Sequence, residues 1–185
     1  GEVGQLTEVR WHALPCGRHL GSKIRPMTPD SEEDHRAVDI LWSKMSADLK
    51  GAIVGVRNGD FIRRRYLQHP VNRYETLLIT SRLTGQPKGL VVLRMEKGAC
   101  ELVDLVGPLA NIPLMISRAR DMAGCHGLQR LYCWITGGFS NLFALDGGEC
   151  AELDIRIPTN VWTSGPEVEA IQNRWWLMGG DSDFR

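Results

Sequence analysis

The chain has no excess of either charge: Lys plus Arg and Asp plus Glu both number 22 in 185 residues. A balanced chain has no net field to draw it to nucleic acid or to an anionic membrane, so neither is expected as a partner. It has no apolar run near the roughly 18 residues that a membrane-spanning helix needs. Its opening, "GEVGQLTEVRW", is polar and acidic and lacks the pattern of a signal peptide. The first residue is Gly1 rather than Met, as expected of a piece cut from a longer chain. There is no Cys-x-x-Cys pair. The five cysteines, Cys16, Cys100, Cys125, Cys133 and Cys150, are odd in number and scattered, which points to reduced thiols in a cytoplasmic protein rather than a disulfide framework. No internal repeat or low-complexity tract is visible. What is present is ordinary, 43% apolar and 24% charged residues, enough for one domain with a full core or at most two small ones.

Residues 1–21 have weak periodicity and read as an irregular arm or a short strand, with the main domain running from Ser22 to Arg185. "SKIRPMT" (Ser22–Thr28) can form a strand. "PDSEEDHRAVDILWSKMSADLKG" opens a helix: Ser31 and Asp34 match a capping box, and Val38, Leu41, Met45 and Leu49 recur at helical spacing. Asn58–Pro70 reads as a second helix, capped by Asp60 and ended by Pro70. "YETLLIT", "KGLVVLRME" and "ACELVDLVG" are three apolar strands. "NIPLMISRARDMAGCHG" is a helix with Asn111 as cap and Pro113 in its first turn. Its stripe of Ile112, Met115, Ile116, Ala119, Met122 and Ala123 is expected to be buried, with Arg118 and Asp121 in solvent. "LQRLYCWIT" is a strand and "SNLFALDGG" a short helix. "ELDIRIPTNVW" and "RWWLMGGDSDF" close the chain as strands, with one of Trp175 and Trp176 in the core. The sum is an α/β domain, a mixed sheet with helices on both faces.

That order of elements resembles the GNAT superfamily of acyl-CoA N-acyltransferases, over nearly the whole chain from Ser22 to Arg185. Three segments carry the resemblance further. "FIRRRYLQHPVNRYE" and "WWLMGGDSDF" are similar to stretches of the C-terminal domain of bacterial tandem-GNAT proteins, and "NLFALDGGEC" is loosely similar to the family's N-x-x-A…G-F segment. The resemblance implies a GNAT-like fold, acetyl-CoA as co-substrate, and a small amine or amino sugar as acceptor. It also implies a possible second GNAT domain or a homodimer as partner. Acetyl-CoA would enter a wedge where the strand "CELVDLV" splays from the strand Leu131–Ile135. Leu105 and Val106 would run beside it. Gly107, Leu109, Ala110, Asn111 and Ile112 would cradle its pyrophosphate, with Asn141 a further contact. A helix N-terminus suits an anion because its free N–H groups and dipole point at it.

The cradle departs from the family pattern. Pro108 and Pro113 donate no N–H, Leu109 puts bulk where glycine is usual, and no Lys or Arg lies in the loop. The tyrosine that many members use to protonate the leaving thiolate is absent too: the helix after the fifth strand holds Phe143, while Ser140 and Asn141 can cap that helix or touch cofactor. The candidate bases are Glu101 and Asp104, which strand alternation places on opposite faces. Pairing of either with Arg94 or Arg130 would make it structural instead. Arg63, Arg64 and Arg65, with His69 and Arg73 after them, form either a solvated face or a dock for an anionic acceptor. His12, Cys16 and His19 have loosely metal-like spacing without an evident fourth ligand, and Asp181 with Asp183 reads as a turn rather than a calcium loop. Two functions follow from these residues: an N-acyltransferase, or a GNAT-fold domain that no longer binds CoA and shapes an acceptor site beside a catalytic partner.

Overall fold

A computed structural model describes residues 1–17, 19–159 and 165–182. The elements are β1 (Glu2–His12), β2 (Ser22–Pro26), α1 (Glu32–Asp48), β3 (Ile53–Val54) and α2 (Gly59–Ile62), which runs on as a π-helical turn, Arg63–Leu67. Then come β4 (Glu75–Ser81), β5 (Pro87–Met95), β6 (Ala99–Val106), α3 (Ile112–Cys125), β7 (Arg130–Thr136), β8 (Glu149–Pro158), α4 (Val168–Ile171) and β9 (Trp175–Trp176). Seven strands form one mixed sheet in the order β2-β4-β5-β6-β7-β1-β8, and β3 pairs with β9 in parallel beside it. Among the described residues, only β6 and β7 run parallel within the large sheet, joined by the crossover helix α3.

The N-terminal residues are the first correction. They are not an arm: β1 is an eleven-residue strand inside the sheet, paired with β7 on one edge and β8 on the other. Register shifts against β8 near Gly4 and Leu6 break its alternation, which is why its period was weak in the sequence. The closing strand is the second. Of the described residues of "RWWLMGGDSDF", which end at Ser182, only Trp175–Trp176 pairs as a strand, followed by an isolated bridge at Met178 and a 3-10 turn, Gly179–Asp181; Asp183 and Phe184 lie outside the described residues. Trp176 is the core member of the tryptophan pair, fully buried. The expected strand at Glu152–Trp162 is β8, and its expected last residues fall outside the described ones.

Helix α1 forms as its sequence dictates. The Ser31 hydroxyl accepts from the Asp34 N–H, and Val38, Leu41, Met45 and Leu49 are buried. The Asp34 carboxylate faces backwards, accepting from Arg25 and from the Thr28 N–H (2.8 Å), which pins β2 to the helix start. The Arg25 hydrogen bond, against some loss of hydration, holds Asp34 below the usual carboxylate range. A depressed carboxyl stabilises the fold above its unfolded value and loses that contribution as pH falls through the folded one. Asp34→Ala is therefore expected to lower stability by about 2 kcal/mol at pH 7, with a smaller difference from the parent protein in melts taken below pH 4.

Three further expectations are corrected here. Asn58, not Asp60, caps α2, accepting from the Phe61 N–H, while Asp60 pairs with Arg63 and Arg64. Asn111 does not cap α3; its side-chain amide donates to the Lys88 carbonyl. Arg118 and Asp121 are buried rather than exposed. The helix phase is right, since Ile112, Met115, Ile116, Ala119 and Ala123 are buried, with Met122 half-buried. A strap of chain after β1 covers the remaining face: Leu14 N–H bonds to the Arg120 carbonyl and Gly17 N–H to the Asp121 carboxylate. The strap also brings Cys16 to Cys125, 109 positions apart in the chain, and the two are joined by a disulfide. The reading of five reduced thiols is thus overturned, and cysteine usage no longer argues for the cytoplasm. Among the described residues, no helix is long and apolar enough to cross a membrane.

Candidate functional site

Beta strands β6 and β7 begin together and then part. They pair only at Ala99↔Arg130, Cys100↔Leu131 and Glu101↔Tyr132, so the expected gap opens beside Leu102–Val106. A bulge helps to open it. On β5 and β6, Leu93 faces Leu102 and Val92 faces Asp104, leaving Val103 without an opposite residue.

The same bulge decides where the two acids point. Alternation alone put Glu101 and Asp104 on opposite faces, and the structure corrects this. Glu101 lies across from Arg94 and Asp104 from Val92. Arg94 and Val92 are two apart on a regular stretch of β5, so both acids share one face. It is the face of α2, because the Asp104 carboxylate accepts from the Tyr66 hydroxyl at 2.7 Å. Gly89, three residues from Val92, lies on the other face and meets Met115 of α3.

Asp104 is committed to structure. It accepts from Arg57 Nε at 2.9 Å, from Tyr66, and from its neighbour's N–H at Leu105, and it is fully buried. Arg57, also fully buried, reaches on to the Asp181 carboxylate. Burial works against the Arg57 charge, but Asp104 and Asp181 outweigh it and hold the guanidinium protonated well above its ordinary range. Burial and then the Asp104 charge push the Tyr66 phenol up. Burial, then Asp104, raises Asp181 despite Arg57. Nothing in the sequence singled out Arg57 or Tyr66 for this network.

Asp181 enters it because the C-terminal segment fills the gap. Met178 bridges to Ile135, the Thr136 N–H donates to the Leu177 carbonyl at 3.1 Å, and the Leu177 N–H donates to Thr136 Oγ1 at 3.0 Å. On the β6 side, Gly180 sits so close to Tyr66 and Val103 that an added Cβ would overlap the Tyr66 hydroxyl. Trp176 and Met178 join the core, with Trp176 against Phe139 and Phe143. Leu105 and Val106, expected beside a cofactor arm, are fully buried.

The cradle is also in use. The Leu109 N–H donates to the Asp48 carboxylate at 2.8 Å, the Asn111 N–H to the Pro108 carbonyl, and the Ile112 N–H to the Leu109 carbonyl. The Asp48 carboxylate thus already takes one N–H of the expected cradle. Gly107 serves close packing: a Cβ there would come within 3.2–3.3 Å of Met115, Gly89 and the Lys88 carbonyl. Ala110 lies between these residues on the 3-10 turn Leu109–Asn111. Asn141 is exposed on the 3-10 turn Gly137–Leu142, where Ser140 Oγ donates to the Gly137 carbonyl. Cys16 is in its disulfide, and among the described residues no group of three His, Cys, Asp or Glu side chains is placed to hold a metal.

One of several cavities, of about 440 Å³, lies between the end of α2, β5, β6 and the C-terminal segment. Its walls include Arg65, His69, Tyr74, Arg94, Glu101 and Gly180. The three consecutive arginines divide as a helix requires. Arg63 and Arg64 pair with Asp60, while Arg65 donates Nε and Nη2 to the Gly180 carbonyl and faces the cavity. Glu101, its side chain 1% exposed, accepts from Arg94 Nη2 at 2.7 Å across the strand pair, and Arg94 also bonds Glu96; this is the pairing that makes Glu101, like Asp104, a structural acid rather than a free base. The volume lies in the range of small-molecule sites.

No protein-family model matches the chain, and no curated protein matches it. Solved structures do. A conserved protein of Enterococcus faecalis V583, described as "Probable N-Acyltransferase", superposes at a TM-score of 0.54 and 13% identity over 82% of this chain. A GCN5-related N-acetyltransferase of Sphaerobacter thermophilus superposes at 0.53 and 12% over 82%. A conserved protein of Staphylococcus epidermidis ATCC 12228 superposes at 0.51 and 10% over 80%. The chain spans 38%, 50% and 59% of those three proteins. At such identities the likeness shows the fold.

Proposed function

For a chain with the fold of the GCN5-related N-acetyltransferases, we propose a recognition role: the domain shapes an acceptor site at the cavity between the end of α2, β5 and β6 and does not hold acetyl-CoA in its wedge. The observation that carries this is the segment that fills the gap between β6 and β7, with Met178 bridged to Ile135 and Asp181 paired with Arg57, in the wedge that the resemblance assigns to acetyl-CoA. The Asp48 carboxylate on the Leu109 N–H supports it, since it sets a like charge beside any incoming phosphate. Asp104, held by Arg57 and Tyr66, has no base role here. The chemistry on the acceptor then belongs to a second domain or a second copy of the chain.

An acyl-CoA-dependent N-acetyltransferase is the second reading. It is favoured by the parting of β6 and β7 and by the printed names of two structural neighbours. It requires residues 175–182 to leave the wedge.

Calorimetric titration with acetyl-CoA separates the two. With no basic side chain in the cradle, at least one charge-assisted hydrogen bond of about 1.5–3 kcal/mol is lost, roughly one to two orders of magnitude in affinity. The expected result is no binding, or a dissociation constant well above micromolar. A low-micromolar complex would establish the transferase reading. Gly180→Ala, which forces the segment off Tyr66, adds a further arm: if it alone gains acetyl-CoA binding, the segment is a displaceable plug.

A further inference from the structure

We propose that two copies of this chain pair antiparallel along the outer edge of β8, on a two-fold axis through Ile155. Strand β8 closes one side of the seven-stranded sheet, with β1 on its inner edge and no described residue paired to its outer one. It is ten residues long, whereas guarded edge strands are short. The Leu153 carbonyl accepts from Gln5 Nε2 at 2.7 Å, and the Thr159 N–H donates to the Gly1 carbonyl at 2.9 Å, so both face β1. Alternation then turns the backbone N–H and C=O of Cys150, Glu152, Asp154 and Arg156 outward. Pro158, next in that row, has no N–H to leave unpaired. The register shift between Gln5 and Thr7 sets Leu153–Ile155 opposite the single Leu6, so the middle of β8 bows away from β1 and toward a partner. Outward N–H and C=O groups in a row are a template for another strand.

The side chains favour a copy of the same strand. Leu153, Ile155 and Ile157 alternate on one face, half-buried, while Glu152, Asp154 and Arg156 are exposed on the other. No charge interrupts the apolar row. Ile155 and Ile157 line, with Leu6, Trp134, Leu177 and Met178, an apolar cavity of about 530 Å³, and a second strand beside them extends that surface. Charge selects the register. Outward groups must meet outward groups, so the two-fold passes through a residue. Four positions overlap seven or more residues of Glu149–Pro158, those at Glu152, Leu153, Asp154 and Ile155. At Glu152 or Asp154 the central acid meets its own copy. At Leu153, Glu152 meets Asp154 twice. At Ile155 no like charges meet: Asp154 of each copy faces Arg156 of the other, Leu153 faces Ile157, and Ile155 faces itself. Arg156 already holds Glu2 at 2.8 Å. The charges therefore exclude the other registers, while the backbone edge and the apolar row supply the contact.

Analytical ultracentrifugation of the full chain over a micromolar concentration series tests the surface, and cysteine cross-linking tests the register. The chain is expected to be a reversible dimer. Asp154→Arg, at a side chain 99% exposed, sets like charges opposite Arg156 and should weaken the dimer tenfold or more with an unchanged melt. Ile155→Lys, which places two ammonium groups at the axis, should do the same. In a Cys150→Ser background under mild oxidant, Ile155→Cys should give a covalent dimer. A non-hydrogen-bonded antiparallel pair brings Cα atoms to about 4.5 Å, within disulfide reach. Leu153→Cys and Ile157→Cys should cross-link only when the two variants are mixed. A monomer throughout the series overturns the proposal, and so does a dimer that neither Asp154→Arg nor Ile155→Lys weakens, since it uses another surface. Cross-linking by Leu153→Cys alone, with none by Ile155→Cys, overturns the two-fold at Ile155.

Discussion

Arg57→Met is expected to lower folding stability by about 3–5 kcal/mol. The guanidinium is fully buried and is shared by two carboxylates, Asp104 at 2.9 Å and Asp181. Removing it leaves both acids facing each other, one fully buried and the other 15% exposed, with only hydrogen-bond donors for compensation. Methionine fills most of the volume, so the deficit is electrostatic rather than a cavity. Two checks follow from that. In Arg57→Met/Asp104→Asn/Asp181→Asn, with all three charges removed, most of the loss should be recovered, because a neutral hydrogen-bonded cluster lacks the unpaired charge. The pH dependence should also be diagnostic. Asp181 is already raised above its ordinary 3.8 by burial and by Asp104, and loss of Arg57 raises it further. A raised carboxyl contributes stability below its unfolded value and loses it as pH rises through the folded one. The variant should therefore be weakest near neutral pH and approach the parent as pH falls toward about 4. Urea unfolding with a loss below about 1 kcal/mol at pH 7 would show that the network does not hold the wedge shut.

The parts of the fold that were legible in the sequence are those whose burial repeats locally. Strands β4, β5 and β6 are near-continuous apolar runs bounded by turn residues, and α3 carries an apolar stripe at helical spacing. The GNAT-like order of elements followed from them. Strand β1 was not legible, because Gln5, Thr7 and Glu8 interleave with its buried apolar residues and its pairing with β8 slips twice. For α3 the stripe was read correctly, yet Arg118 and Asp121 are covered by a strap from more than a hundred residues earlier, which no local pattern encodes.

The candidate site was less legible still, for related reasons. One extra residue, Val103, moved Asp104 to the face of Glu101, and a one-residue bulge leaves no mark in an apolar run. The weakness of the cradle was visible in Pro108 and Pro113, but its Asp48 partner comes from the end of α1 and became a neighbour only on folding. The tail "WWLMGGDSDF" was expected to be the last strand. Its two small glycines instead let the chain turn between Tyr66 and Val103 and carry Asp181 to Arg57. Filling the wedge with its own apolar residues removes the surface that a cofactor would otherwise cover, which is why the same residues that complete the core also argue against CoA.

Reduction of the Cys16–Cys125 bond is expected to lower stability by about 2–4 kcal/mol, or about 5–15 °C in melting temperature for a domain of this size. The link closes a loop of 109 residues. Freeing so long a loop restores chain entropy to the unfolded state, about 4–5 kcal/mol in the simplest accounting, of which measured values usually reach only a part. The fold itself should persist. The strap keeps its hydrogen bonds to the Gln129 and Arg120 carbonyls and to the Asp121 carboxylate, and Gly124 keeps its close contact with the Leu14 backbone. Both bonded cysteines lie at the surface, so dithiothreitol should reach them without global unfolding. Thiol counting checks the premise. Of the other three cysteines, Cys150 is exposed while Cys100 and Cys133 are buried. Burial pushes the Cys100 thiol up to about 12 and raises Cys133 as well, so neither forms the reactive thiolate near neutral pH. The native protein should thus react at Cys150 alone, the unfolded oxidised protein at all three, and the unfolded reduced protein at Cys16 and Cys125 in addition. Full reduction that leaves the melting temperature unchanged would mean that the strap is held by its hydrogen bonds and packing on α3 and owes nothing to the covalent link.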